Sequence, residues 1–125
     1  MPGVEAMTAT VHAYVAAYEA ADEESVVILF AEDAVIEDPV GTPPKRGHEE
    51  IRAFFRGAME MGCKPVLDGP ICLTEDHAAF PMRVPMCIDG QDMVYYGIDV
   101  FAFDAEGKVR EMRAYHGPSN LVAKL

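Results

Sequence analysis

The chain has 125 residues, enough for one domain with a substantial core, and its formal net charge is −11, from 21 acidic and 10 basic side chains. This charge argues against nucleic acid and against an anionic membrane surface as partners, because both need clustered cations. No apolar stretch is long enough to span a bilayer, and the first residues lack the features of a secretion signal. Three cysteines without paired spacing predict reduced thiols in a cytoplasmic protein: Cys63, Cys72 and Cys87. We expect residues 1–125 to form a single domain.

The first half of the chain has the apolar spacing of helices. Apolar residues recur every three or four positions over residues 8–21, which predicts an amphipathic helix, and a shorter helix is predicted over residues 23–30. A third helix is expected to begin near Glu49 and Glu50, because acidic residues suit a first helical turn. Its apolar face contains Phe54 and Phe55.

The remaining pattern is typical of strands. Six are predicted: residues 34–38, 64–68, 71–74, 80–88, 94–103 and 109–116. Pro81 and Pro85 share one parity of the fourth strand, which indicates a sheet edge or a bulge. Asp89-Gly90 predicts a hairpin turn into the fifth strand.

Helices followed by a meander of strands predict an α+β fold. We expect a curved, mixed but mostly antiparallel sheet that forms a half-closed cone, with three helices packed on its concave side. The mouth of such a cone suits a small ligand. Strand 94–103 is apolar on both faces, so its outer face needs a cover. The cover we expect is a second copy of the sheet, giving a homodimer.

Asp99 interrupts this apolar strand. Alternation places it on the same face as Tyr95, Gly97 and Phe101, so its carboxyl group is expected to be buried. A buried, unpaired acid raises its pKa and stays neutral, and a neutral carboxylic acid can donate a hydrogen bond. The alternative is a structural role, at a bulge or bonded to a backbone N–H.

Asp38 and Tyr14 are the other two candidate groups. Asp38 ends a strand before Pro39, where a partly hydrated carboxylate can act as a general base, although it could also bond local backbone in a turn. Glu37 is expected to point the other way, into solvent. Tyr14 lies on the inward stripe of the first helix and is either a core residue or a second donor. Two donors that converge in a dry cavity form an oxyanion hole for a ketone that becomes an enolate.

Four stretches carry a resemblance to a known family: Glu37-Asp38-Pro39-Val40-Gly41-x-Pro43-Pro44, Gly47-x-Glu49-x-Ile51-x-x-Phe54, Ile98-Asp99-Val100 and Met112-x-Ala114-Tyr115. They resemble the ketosteroid isomerases, whose superfamily also holds nuclear transport factor 2 and the SnoaL-type cyclases. The resemblance covers nearly the whole chain. The most specific part of the resemblance is the set Tyr14, Asp38 and Asp99, because these residues together supply a base and two hydrogen-bond donors.

The resemblance implies an isomerase that needs no cofactor. We also expect no metal, because the four histidines are far apart in sequence and lack the spacing of a metal site. Asp38 would move a proton within a 3-oxo-Δ5-steroid while Tyr14 and Asp99 stabilise the dienolate. The expected lining of the site, most of which could equally be core, is Phe54, Phe55, Phe80, Met82, Val84, Met86, Tyr95, Met112, Ala114 and His116.

Two departures from the family bear on specificity. Some members have tyrosines where this chain has Phe30 and Phe55, so Tyr14 would donate without their support. His116 replaces an expected large aromatic residue, either as a polar recognition group or as a partly buried histidine with a satisfied ring. Two other functions stay open: a polyketide cyclase or lyase that uses Asp38 on another ketone, and a dimer that binds a small ligand without catalysis.

Overall fold

The structure is a computed structural model that describes residues 2–124. Its α-helices are α1 (Val4–Glu19), α2 (Glu23–Val27) and α3 (Gly47–Glu60), and one 3₁₀ turn follows at Pro118–Asn120. Within the described residues, none of these helices combines the length and the apolar character that crossing a membrane requires.

The helix boundaries differ most from prediction at two places. α1 begins at Val4, four residues before the predicted start. α2 ends at Val27 instead of residue 30, because the chain has already joined the sheet there: the Leu29 carbonyl accepts a hydrogen bond of 2.9 Å from the Val109 N–H. At the other end of α2, the Asp22 side chain accepts from the Ser25 N–H and so caps the helix.

Eight strands form one sheet: β1 (Phe30–Glu37), β2 (Lys45–Arg46), β3 (Val66–Leu67), β4 (Cys72–Leu73), β5 (His77–Ile88), β6 (Gln91–Phe103), β7 (Val109–Tyr115) and β8 (Leu121–Ala123). The main order is β2-β1-β7-β6-β5-β3, with β4 beside β5 and β8 beside β6. Only the β1–β7 pair is parallel among these strands. The sheet is not closed, and with its three helices it forms the predicted α+β cone. The short strands β2 and β8 were not predicted.

The β5–β6 hairpin is the longest pairing in the sheet. Its register runs unbroken from His77 opposite Ala102 to Ile88 opposite Gln91. The turn residues Asp89 and Gly90 both have positive φ, +50° and +79°, as the tightest hairpin turns require. This register places every second residue of β6 on the concave side, and it fixes which face Asp99 occupies.

The opposite side of β5 carries only the short strands β3 and β4. The break between them lies beside Pro81, whose carbonyl accepts from the Asp68 N–H at 2.9 Å. β5 is therefore not the edge strand that its prolines indicated, because β3 and β4 pair with it, but Pro81 lies where that pairing is interrupted. On the convex face of β6, Tyr96 and Ile98 stay more than two-fifths exposed, so the single chain leaves this face uncovered.

Candidate active site

Asp99 lies in the middle of β6, between Phe80 of β5 and Ala114 of β7. Within residues 2–124 it is the only acidic residue that is buried, at 8% exposure. Burial raises the pKa of its carboxyl group well above the usual 3.8, and the negative charge of Asp38 raises it further. Both causes favour the protonated acid, so Asp99 is suited to donate a hydrogen bond.

Tyr14 lies on the inner face of α1 and is 1% exposed. Its ring makes edge-to-face contacts with four aromatic rings, at centroid separations of 5.1–6.3 Å: Tyr18, Phe55, Phe80 and Phe101. Burial raises the pKa of its hydroxyl well above the usual 10.0, and Asp99 is the largest further cause. The packed ring fixes where the hydroxyl points, and the raised pKa keeps its proton in place.

Asp38 follows the last residue of β1 and precedes Pro39 across a cis peptide bond. Its side chain is 12% exposed, and its Oδ1 lies 3.0 Å from His116 Nε2. The local turn bond considered for Asp38 is made instead by Glu37, whose Oε2 accepts from the Gly41 N–H at 3.2 Å. Glu37 is partly exposed and its side chain bonds the turn, whereas the Asp38 side chain contacts His116.

The titratable groups of α1, β6 and the turn after β1 lie close enough to influence one another's pKa values. Burial is the main reason why four pKa values are raised, and the negative charge of Asp38 contributes in each case: Tyr14, Tyr18, Tyr95 and Asp99. Because such effects weaken with distance, these groups lie near one another. A base and neutral donors around one space can take a proton from carbon while stabilising the resulting enolate oxygen.

Tyr18 was not predicted as a site residue. It is 5% exposed, and its ring centroid lies 5.8 Å from that of Tyr14. Burial raises the pKa of its hydroxyl, and the nearby Tyr95 and Asp38 raise it further. The spacing of four residues from Tyr14, one helical turn, is the sequence signal that could have identified it.

The ten predicted lining residues separate into two groups, with Phe54 in neither. Six of them belong to the core around Tyr14 and Asp99 and are at most 3% exposed: Phe55, Phe80, Met82, Val84, Met112 and Ala114. Phe54 is half-buried beside Phe55. The other three line a cavity of about 530 Å³ at the mouth of the cone, together with the loop after Asp38: Met86, Tyr95 and His116.

Comparisons with known proteins identify the family of this chain. Residues 11–112 match the family model of the SnoaL-like domain. A steroid Delta-isomerase from Nocardioides simplex is 36% identical over 115 residues, which cover 91% of this chain and 92% of that relative. The chain belongs to the ketosteroid isomerase family, within the SnoaL-like superfamily.

A solved structure of the epoxide hydrolase/cyclase-like enzyme SalBIII, described as acting in pyran ring formation in polyether salinomycin, superposes with a TM-score of 0.93. The superposition covers 99% of this chain and 100% of the SalBIII chain, at 22% sequence identity, and so supports the fold alone. Family and fold together support an enzyme of the isomerase or cyclase type.

Proposed function

We propose that this protein is a cofactor-independent isomerase that moves the double bond of 3-oxo-Δ5-steroids into conjugation, with the whole of residues 1–125 acting as one domain. The observation that carries the proposal is the pairing of two neutral donors with a base. Tyr14 and Asp99 are both buried with raised pKa values, and Asp38 lies close enough to affect both groups.

In this reaction Asp38 removes a proton from the carbon between the ketone and the double bond. The electrons of the broken C–H bond move towards the ketone and form a dienolate with negative charge on its oxygen. Tyr14 and Asp99 donate hydrogen bonds to that oxygen. Asp38 then returns the same proton to the far end of the dienolate, so the double bond moves and no atom is gained or lost.

The neutral state of the donors is essential to this mechanism. An ionised tyrosine or aspartate accepts hydrogen bonds only and would repel the dienolate oxygen. Burial of Tyr14 and Asp99 keeps both groups protonated, and the surrounding core removes competing water, which strengthens hydrogen bonds to a developing charge. The dry end of the cone therefore suits the ketone end of the substrate.

A steroid also fits the remaining surfaces. The core side chains around the donors are aliphatic, aromatic or methionine, and a cavity of about 530 Å³ continues the site at the mouth. The steroid Delta-isomerase relative supports the same substrate class. The lining role of Phe54, Met86 and Tyr95, and of the six core residues, remains part of this proposal.

The decisive experiment follows the ultraviolet absorbance of the conjugated enone when purified protein is mixed with 5-androstene-3,17-dione. We expect rapid conversion, and we expect Asp38→Asn to lower kcat by about 10⁴-fold, the upper range for a general base. Estradiol, a steroid phenol, should still bind to Asp38→Asn because both donors remain.

Other outcomes separate the alternatives. Estradiol binding without conversion would leave a site of this shape that acts on another ketone, as a cyclase or lyase would. Conversion that survives Asp38→Asn would contradict the assignment of the base. Absence of both conversion and estradiol binding would contradict a steroid function altogether.

We also propose a homodimer formed through the convex sheet face. Four large apolar residues of β6, β7 and β8 are 42–45% exposed in the single chain: Tyr96, Ile98, Tyr115 and Val122. Burying them against a second copy would remove this apolar surface from water. Sedimentation equilibrium should give twice the mass of one chain, and Ile98→Glu should shift it towards one; a wild-type mass of one chain at micromolar concentration would contradict the dimer.

A further inference from the structure

We propose that His116 is a positioning residue for Asp38, whose carboxylate it holds towards the two donors through a hydrogen bond from its imidazole ring. This inference rests on the function proposed above, since it assigns a partner to the base of that reaction. It goes beyond the predicted role of His116 in lining the substrate cavity.

The contact itself is well formed. His116 Nε2 and Asp38 Oδ1 are 3.0 Å apart, and the two side chains are only 21% and 12% exposed. Because an ionised carboxylate has no proton to offer, the proton in this bond belongs to Nε2 and the ring donates. The bond uses Oδ1 and leaves Oδ2 free to receive the proton of the substrate.

The imidazole ring is fixed independently of Asp38. It stacks on Tyr95 of β6, with centroids 4.4 Å apart and planes tilted by 34°. Beneath it lies Gly97, where a Cβ atom would come within 3.3 Å of His116 Cβ and 3.1 Å of the Tyr115 carbonyl oxygen. A glycine at this place on β6 lets the His116 segment pack closely against the strand.

The two partners reach this contact from neighbouring strands. Asp38 follows β1 and His116 follows β7, and these strands are paired in parallel, with Glu37 opposite Arg113. The Val40 N–H also donates to the Ala114 carbonyl at 2.8 Å, which ties the turn after Asp38 to β7. The sheet therefore holds the base and its donor at one end of adjacent strands.

Fixing the carboxylate affects the rate because proton transfer depends on alignment. A free aspartate at a strand end samples several rotamers, and a displacement of about 1 Å can lower a rate roughly 100-fold. A hydrogen bond from a stacked ring restricts these rotamers. A positioning role thus predicts a loss in kcat, whereas a lining role predicts a change in KM or in ligand affinity.

The experiment compares two substitutions of the same residue. His116→Phe keeps a flat ring on Tyr95 but removes the donor, and we expect kcat for 5-androstene-3,17-dione to fall roughly 10- to 100-fold. KM and the Kd for estradiol should stay within about threefold of the wild type. His116→Gln, whose amide nitrogen reaches the place of Nε2, should recover most of the lost kcat. His12→Gln, at an exposed position of α1, is the matched control.

Three results would overturn the proposal. The first is a kcat for His116→Phe within about twofold of the wild type. The second is His116→Gln being as impaired as His116→Phe, because the donor would then be irrelevant. The third is a loss confined to KM and to estradiol affinity, which would assign His116 to the substrate and not to Asp38.

A spectroscopic readout keeps this test separate from the test of the reaction. The nitrogen resonances of the His116 ring report which nitrogen carries the proton, and at neutral pH we expect it on Nε2. A neutral ring protonated only on Nδ1 would contradict the contact even in an active enzyme. If the wild type converts no steroid, the proposed function fails, while the protonation of His116 still decides whether the ring donates to Asp38.

Discussion

The two ends of the site contain the same residue type in opposite surroundings. Asp99 sits in the middle of β6, flanked by paired strands on both sides and buried, and its pKa is raised first by that burial. Asp38 sits just beyond the end of β1, next to the mouth of the cone, with His116 as hydrogen-bond partner. One acid is surrounded by core and the other has a polar donor beside it.

The position of a carboxyl group along a strand therefore decides whether it is shielded from water or can meet it. In mid-strand, neighbouring strands exclude water from the side chain, and the neutral acid is favoured. At a strand end, the chain leaves the sheet and the side chain can meet water and a polar partner. The proposed donor and the proposed base follow from this difference.

Removing a donor should affect both rate and binding. We expect Tyr14→Phe and Asp99→Leu each to lower kcat by about 10²–10³-fold, the usual effect of deleting one oxyanion donor. Both should also weaken estradiol binding, unlike Asp38→Asn, because the phenol oxygen occupies the place of the dienolate oxygen. Steady-state kinetics and an estradiol titration measure the two effects. An unchanged rate in Asp99→Leu would contradict its role as a donor.

The buried acid should also make stability depend on pH. The unfolded chain releases the Asp99 proton near the usual 3.8, whereas burial keeps it bound to higher pH in the folded protein. As pH rises through this window the unfolded state binds fewer protons, so the wild type loses stability relative to Asp99→Asn, which cannot titrate. Urea denaturation of both proteins at about pH 3, 5 and 7 measures this trend. A constant difference in the free energy of unfolding would show that Asp99 is not held neutral.

The smallest effect is expected from adding a donor behind Tyr14. Phe55 is fully buried, and its ring lies 5.9 Å from that of Tyr14. Phe55→Tyr adds a hydroxyl behind Tyr14, and we expect kcat to change by less than about tenfold, since the two direct donors remain. The free energy of unfolding should fall by about 1–3 kcal/mol if the new hydroxyl has no partner. A kcat change beyond 10²-fold would mean that support behind Tyr14 matters as much as the donors themselves.

The sequence predicted those parts of the molecule that depend on local pattern. Alternation along β6 identified the buried position of Asp99, and helical spacing placed Tyr14 on the inward face of α1. The end of α2 was misplaced because Leu29 pairs with Val109, 80 residues later in the chain and outside any local window. The short strands β2 and β8 have no pattern of their own and exist because a longer neighbour pairs with them.

The site was predicted only residue by residue. Asp38 was singled out from its place before Pro39, but its partner His116 lies 78 residues away, and only the β1–β7 pairing brings them together. Likewise, the lining residues were read as one set. Whether a lining residue lies in the core or at the mouth depends on how the sheet and the helices pack around Tyr14. This packing cannot be read from the order of residues along the chain.

The parallel pairing of β1 with β7 has a consequence for how this protein acquires its activity. Most neighbouring strands in the sheet are close in sequence, but Asp38 and His116 meet only when two distant parts of the chain close a long loop. Contacts of high sequence separation form slowly because loop-closure entropy opposes them. During refolding, catalytic turnover should therefore return later than the helical circular dichroism signal. The delay would measure when β7 pairs with β1.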